Sequence, residues 1–213
     1  MEKKKKKGLV LFDLDSTLIE EETIDELARL AGVEHEVKNI TKEAMNGKID
    51  FEESLKRRVA LLKGLPTGEV KGIISRLKLT KGAKETIKEL KNRGYVVGVI
   101  SGGFTIATDK VKRDLDLDYA YSNELVIKEG KLTGEVKGRV MGPTSKGDIL
   151  EEIAKKEKID LKNSFVVGDG ANDISMFKKA GFKIAFCAKE ILKRNADISI
   201  DKRDLREILK YIN

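Results

Sequence analysis

Asp13 and Asp15 stand on either side of a single leucine, directly behind the apolar run "GLVLF" (8–12), with Ser16 and Thr17 following at once. Such a run reads as a buried strand, so both carboxylates are presented together at its carboxyl end. Like charges this close are costly unless a cation joins them. Three other stretches carry comparable residues: "ISGG" (100–103) holds Ser101 and Gly102, "SKGD" (145–148) holds Lys146, and "GDGANDIS" (168–175) holds Asp169, Asn172 and Asp173. Magnesium takes an oxygen shell from one or two carboxylates, waters and substrate phosphate. The clustered aspartates therefore point to Mg²⁺ with a phosphoryl group beside it. One aspartate can attack phosphorus and carry an acyl phosphate. A second carboxyl can protonate the leaving oxygen and later activate water. Ser101, the Gly102 N–H and Lys146 suit the phosphoryl oxygens. Taken singly, each aspartate reads as a helix cap or a turn residue; as a set at strand ends they read as a site.

The elements that must position these groups follow from the apolar runs. "YVVGVIS" (95–101), "SFVVG" (164–168), "FKIAF" (182–186) and "ADISI" (196–200) join "GLVLF" as strand candidates. Helical periodicity fills most gaps, as at 83–93, 146–156 and 174–180. The alternation predicts an α/β fold with a parallel sheet covered on both faces, where ligands lie beyond the carboxyl ends of the strands. Residues 122–140 alternate about a Glu-Gly turn and read as a β-hairpin. Between residues 20 and 78 no strand is evident. Four helical stretches, 21–31, 34–46, 51–63 and 67–77, are separated by Gly32, Gly47 and "GLP" (64–66). This block reads as an inserted cap, with hinges expected near 16–21 and 76–82.

Within the cap, Phe51, Leu55, Val59 and Leu62 form an apolar stripe, and Arg58 falls in its middle while Arg57 points elsewhere. An arginine on an apolar face needs an anionic partner. That partner is either a cap carboxylate, in a structural ion pair, or the carboxylate of a substrate, gripped bidentately.

Other chemistries are disfavoured. "GDGAND" lacks the third glycine of a dinucleotide fingerprint, and no P-loop pattern occurs. "DLDLDYAYSNEL" (114–125) has Tyr119 and Leu125 where a calcium loop needs Gly and Glu, and reads as a helix end running into a strand. The lone histidine, His35, has charged neighbours and reads as solvated, which leaves no basis for a histidine zinc site or a catalytic triad. The single cysteine, Cys187, excludes an intrachain disulfide and suits a reducing compartment. A net charge of +7 accompanies charges of both signs, interleaved, and the only dense run is Lys3–Lys7. With no aromatic interleaving or recognised motif, no nucleic-acid partner is expected. No run approaches the length of a membrane span, so a cytoplasmic protein without a membrane partner is expected.

"DLDST" resembles the DxDx[TV] signature of the haloacid dehalogenase superfamily of phosphatases. "SGG", the lysine of "SKGD" and "GDGAND" resemble its other three motifs, in the expected order. "FDLDSTL…E", "SGGF" and "VGDGANDISMFKKAG" are similar in particular to the members that act on phosphoserine, and the likeness runs over nearly the whole chain. The resemblance implies a Rossmann-like, doubly wound, mostly parallel core formed by residues 1–18 and 79–213, with a small helical-bundle cap inserted at 19–78. It implies Mg²⁺-dependent hydrolysis of O-phospho-L-serine to L-serine and phosphate, the final step of serine biosynthesis, by a monomer or homodimer. Asp13 would be the nucleophile, and Asp15 the general acid and then base, with its carbonyl on the metal. Asp169 would complete the ligands and Asp173 would support them. Ser101, Gly102 and Lys146 would hold the phosphoryl oxygens, and Asn172 would contact the phosphate. Arg58 would take the substrate carboxylate and Glu22 its ammonium, while Met45 and Phe51 would close over the site. Only the resemblance selects Glu22, since Glu20 and Glu21 are adjacent. The alternatives are another small phosphorylated substrate, transfer to an alcohol other than water, or a non-catalytic phosphate-binding protein, against which an intact Asp13 argues.

Overall fold

Runs of Val, Ile, Leu and Phe too continuous for a half-solvated strand need cover on both faces, and the sheet supplies a place for them. The computed structural model describes residues 6–212, so Lys3–Lys5 of the lysine run lie outside the described residues. Seven strands form one sheet in the order β4-β3-β2-β1-β5-β6-β7. They are β1 (Gly8–Phe12), β2 (Tyr95–Phe104), β3 (Tyr119–Lys128), β4 (Lys131–Gly138), β5 (Ser164–Gly168), β6 (Phe182–Phe186) and β7 (Ile198–Ile200). All neighbours are parallel except β3 and β4, which form the expected hairpin. The chain winds from β1 out through β2 and β3 on one side, and later through β5 to β7 on the other. β1 thus lies at the point where winding reverses, and a crevice opens there beyond the strand ends.

Helices α1 (Thr23–Ala31), α2 (Glu34–Met45), α3 (Phe51–Ala60) and α4 (Thr67–Arg76) fill the block between β1 and β2, and α5 (Ala83–Asn92) leads into β2. Next come α6 (Thr105–Leu115), α7 (Ser145–Glu157) and the single turns α8 (Ile174–Phe177) and α9 (Glu190–Lys193). Side chains alternate across β1. Val10 and Phe12 pack with α5, α6 and the inserted helices, whereas Leu9 and Leu11 pack with α7, α8 and α9.

Two boundaries differ from the sequence reading in ways that matter below. The helix expected from residue 21 begins at Thr23, leaving Glu22 extended just ahead of it. The strand expected to end at Ser101 continues to Phe104, and α6 follows without a break.

The two chain segments that enter and leave the inserted helices are zipped together. Ile19 and Leu79 form an antiparallel bridge, flanked by Glu20 N–H to Lys78 C=O at 3.0 Å and Thr80 N–H to Leu18 C=O at 2.9 Å. The hairpin supplies a second attachment that sequence did not reveal. Gly64 N–H donates to Leu132 C=O at 2.8 Å, Leu132 N–H to Leu65 C=O at 2.9 Å, and Thr67 N–H to Gly130 C=O at 2.9 Å. Leu132 is buried in the same hydrophobic cluster as Leu55, Val59 and Leu62. The "GLP" turn between α3 and α4 is therefore strapped to the sheet edge. Leu132→Ala is expected to cost about 2–5 kcal/mol, the usual range for a buried leucine, and to lower the melting temperature by several degrees in calorimetry. A shift below about one degree would mean that the hairpin does not share the core of the inserted helices.

Candidate active site

The strand ends bring the acidic residues together because the backbone turns sharply after β1. Residues Leu14–Leu18 form a wide turn, closed by Ile19 N–H on Leu14 C=O, with Ser16 in the left-handed region at φ 57°. A serine held there is unusual for a residue with a Cβ, and the side chain uses the position: Ser16 Oγ donates to Glu22 Oε1 at 2.8 Å. Asp13 is buried and Asp15 half-buried, and both line one cavity of about 510 Å³.

Asp13 is held from three directions. Its Oδ1 accepts from Leu14 N–H at 2.7 Å and pairs with Lys146 Nζ at 2.8 Å, and its Oδ2 accepts from Asn172 Nδ2 at 3.1 Å. Lys146 bridges to Asp173 Oδ1 at 2.6 Å. Burial alone would pull the lysine's pKa down, but Asp13 and Asp173 overcome that and hold it above its ordinary value. Asp173 is fully buried, and its second oxygen accepts from the N–H groups of Asp169 and Gly170. Asp15 faces the other way. Its Oδ1 accepts from Thr23 N–H at 2.8 Å and Thr23 Oγ1 at 2.5 Å, and Ser101 Oγ lies 3.5 Å from its Oδ2. Burial, then Glu22, and to a smaller extent Asp13 push its pKa up to about 7.

The "SGGF" stretch fits the space between these groups only as glycine. A Cβ on Gly103 would come within 2.9 Å of Asp15 Oδ2, and one on Gly102 within 2.7 Å of the Phe51 ring. Phe51, the first residue of α3, thus rests directly on the end of β2. Ser101 is buried beneath, with its Oγ accepting from Gly103 N–H at 2.9 Å. Met45 reaches the cavity rim at the end of α2 and is 71% exposed.

Three acids, Asp13, Asp169 and Asp173, offer oxygens all within 4.8 Å of one another. Asp169 has as its nearest cation Lys189 Nζ at 3.8 Å, and burial with the charges of Asp13 and Asp173 raises its pKa to about 8. A buried carboxylate set short of positive charge, and offering only hard oxygen donors, fits a divalent cation such as Mg²⁺. The Asp15 carboxylate stands outside this trio.

Arg58 lines the same cavity from α3. Its Nε donates to Ser54 C=O at 3.2 Å, and among the described residues it forms no ion pair. Burial draws its pKa below the ordinary value, against the pull of Asp25, Glu22 and Asp15. Of the two partners that sequence left open for Arg58, the structural ion pair within the cap is absent here. Arg57 pairs instead with Glu43 at 2.9 Å. Glu22, also on the cavity wall, escaped periodicity because it lies outside α1. Sequence reasoning missed Thr23 and Lys189; a hydroxyl at the start of α1, six residues past Thr17, was the only hint of the first.

The raised acids predict a pH signature. Their folded pKa values exceed the ordinary value near 4, so between about pH 4 and pH 8 these acids bind more protons in the folded state than in the unfolded one, and their contribution to metal-free stability falls as pH rises. Mg²⁺ is therefore expected to raise the melting temperature much more at about pH 8 than at about pH 5, where protons compete for the same oxygens. Equal gains at both pH values in a thermal melt would contradict this.

The pattern that defines haloacid dehalogenase-like hydrolases matches residues 8–181. A phosphoserine phosphatase of Methanocaldococcus jannaschii is 67% identical over 212 residues, covering 100% of both chains. Among solved structures, a substrate-bound phosphoserine phosphatase complex superposes with a TM-score of 0.94 at 66% identity, covering 99% of this chain and 100% of the other. A phospho-aspartyl intermediate analogue of phosphoserine phosphatase does so with the same score and identity over 98% of this chain. With its four motifs gathered at one crevice and likeness of this extent, the chain belongs to the haloacid dehalogenase-like hydrolase family.

Proposed function

We propose that the chain hydrolyses O-phospho-L-serine to L-serine and phosphate through an aspartyl-phosphate on Asp13, the closing step of serine biosynthesis. The observation that carries the substrate is Arg58: a guanidinium on the wall of the Asp13 cavity, without a carboxylate of its own, held at Nε so that its terminal nitrogens remain for a ligand. Glu22 on the same wall suits the ammonium group. Identity of 67% to a phosphoserine phosphatase supports the same reading.

In the first half-reaction the Asp13 carboxylate attacks phosphorus, the bond from phosphorus to the serine oxygen breaks, and Asp15 gives that oxygen its proton. The raised pKa of Asp15, about 7, keeps a proton available near neutral pH. Thr23, bonding Oδ1 through both its N–H and hydroxyl, leaves Oδ2 for the transfer. In the second half-reaction the Asp15 carboxylate takes a proton from water as the water attacks phosphorus, and Asp13 leaves as a free carboxylate with inorganic phosphate. Lys146, Ser101 and the Gly102 N–H hold the phosphoryl oxygens through both steps, and Asn172 orients Asp13. A Mg²⁺ held by Asp13, Asp169 and the Asp15 carbonyl, with Asp173 bracing the set, would neutralise the charge that otherwise keeps a phosphoryl group away from these acids. Residues 19–78 act as a cap that keeps bulk water from the phosphoryl group, and Phe51 and Met45 line its inner side. All these groups come from one chain. No helix among the described residues is long and apolar enough to cross a membrane, and with a single cysteine the reading places the enzyme in the cytoplasm.

Phosphate release from O-phospho-L-serine is expected with Mg²⁺ and not with EDTA. Asp13→Asn is expected to abolish turnover, and Asp15→Asn to lower kcat by about 10²–10⁴. Arg58→Ala should lower kcat/KM for O-phospho-L-serine roughly 10- to 100-fold, as loss of a charged contact does, with little effect on an aryl phosphate. A wild type that cleaves the aryl phosphate but ignores O-phospho-L-serine would overturn the substrate assignment and leave the core chemistry standing.

A further inference from the structure

Four side-chain hydroxyls among the described residues are buried without a hydrogen-bond partner: those of Thr17, Ser54, Thr80 and Thr86. Of these residues only Ser54 lines the cavity of Asp13 and Arg58. A helical serine or threonine usually satisfies itself on the carbonyl three or four residues earlier. Thr41 does so on Val37, Ser75 on Gly72, and Thr108 on Phe104 and Thr105. Ser54 does not, although its residue is only 1% exposed. An orphaned hydroxyl in such a place weakens the fold, and only on the cavity wall can a ligand supply the missing partner. The carbonyl of Ser54 fixes Arg58 Nε at 3.2 Å, so the free hydroxyl sits on α3 beside the cation proposed to hold the substrate carboxylate.

We propose that Ser54 is a further substrate-binding residue, whose Oγ donates a hydrogen bond to the substrate carboxylate alongside Arg58 while its carbonyl sets the arginine's orientation. The assignment rests on the phosphoserine reading above. A planar carboxylate has more acceptor positions than one guanidinium fork occupies, and a hydroxyl donor enclosed with it is strengthened by the anion's charge. Ser54 then separates a phosphorylated amino acid from a phosphorylated amine, and the orphaned hydroxyl finds its partner only when the correct ligand is bound.

The test compares wild type and Ser54→Ala on O-phospho-L-serine and on O-phosphoethanolamine, which lacks the carboxylate, with thermal melts of both proteins without ligand. For Ser54→Ala, kcat/KM on O-phospho-L-serine is expected to fall roughly 10- to 100-fold, mostly through KM. On O-phosphoethanolamine it should be unchanged, and the melting temperature should be equal to or above that of wild type. Equal losses on both substrates, or no loss on either, would overturn the role of Ser54 while wild type still prefers O-phospho-L-serine. A lowered melting temperature with equal losses would mark Ser54 as structural. A wild type without preference between the two substrates would overturn the phosphoserine reading, and the role of Ser54 with it.

Discussion

Everything at this site answers to one constraint: several carboxylates share a small place from which water is largely withdrawn. Asp13, Asp169 and Asp173 offer oxygens within 4.8 Å of one another, and among the described residues the one buried cation beside them is Lys146. One lysine cannot balance three acids. Burial first, and the neighbouring acids after it, raise the pKa values of Asp169 and Asp173 to about 8 and about 6. The excess of negative charge makes the crevice a place where a divalent cation and then a phosphoryl group are stable, and a barrier to an anionic substrate without the cation. A sheet whose winding reverses at β1 brings the ends of β1, β2 and β5 to one such cluster, and the first turn of α7 adds Lys146.

The same constraint divides labour between two aspartates that are neighbours but one in sequence. Asp13 is surrounded by donors, from Leu14, Lys146 and Asn172, which fix its carboxylate in place. Asp15 is turned away by the wide turn, where burial and Glu22 favour the protonated form. In the proposed mechanism two identical side chains take opposite roles, nucleophile and acid, in these two environments. In the proposed function, specificity comes from outside the sheet, from α3, which lines the cavity with Phe51, Ser54 and Arg58.

How much of this could be read in advance depended on whether the relevant partner was local. The aspartate pair and the other strand ends were legible because adjacency in sequence fixes adjacency in space there, and each strand core matches its apolar run within a few residues. Arg58 was legible as an anomaly: a charge in an apolar stripe. Glu22 was not, because it lies in the extended residue before α1, where helical periodicity has no purchase. Thr23 was hidden for a related reason, since its bond to Asp15 depends on the unusual turn at Ser16. The hairpin was visible as a hairpin, but its attachment to residues 64–67 spans more than sixty positions and leaves no local pattern. Ser54 looked like any helical serine, because a missing hydrogen bond cannot be seen in sequence.

The central claim is that Asp13 itself carries the phosphoryl group between substrate and water. The most direct test is a rapid acid quench of the enzyme turning over O-phospho-L-serine labelled at phosphorus. The account predicts a transient covalent label that hydroxylamine removes, as it does acyl phosphates, mapped to Asp13 by mass spectrometry and missing in Asp13→Asn. Full-speed turnover with no protein-bound label at any quench time, or a label on another residue, would contradict it.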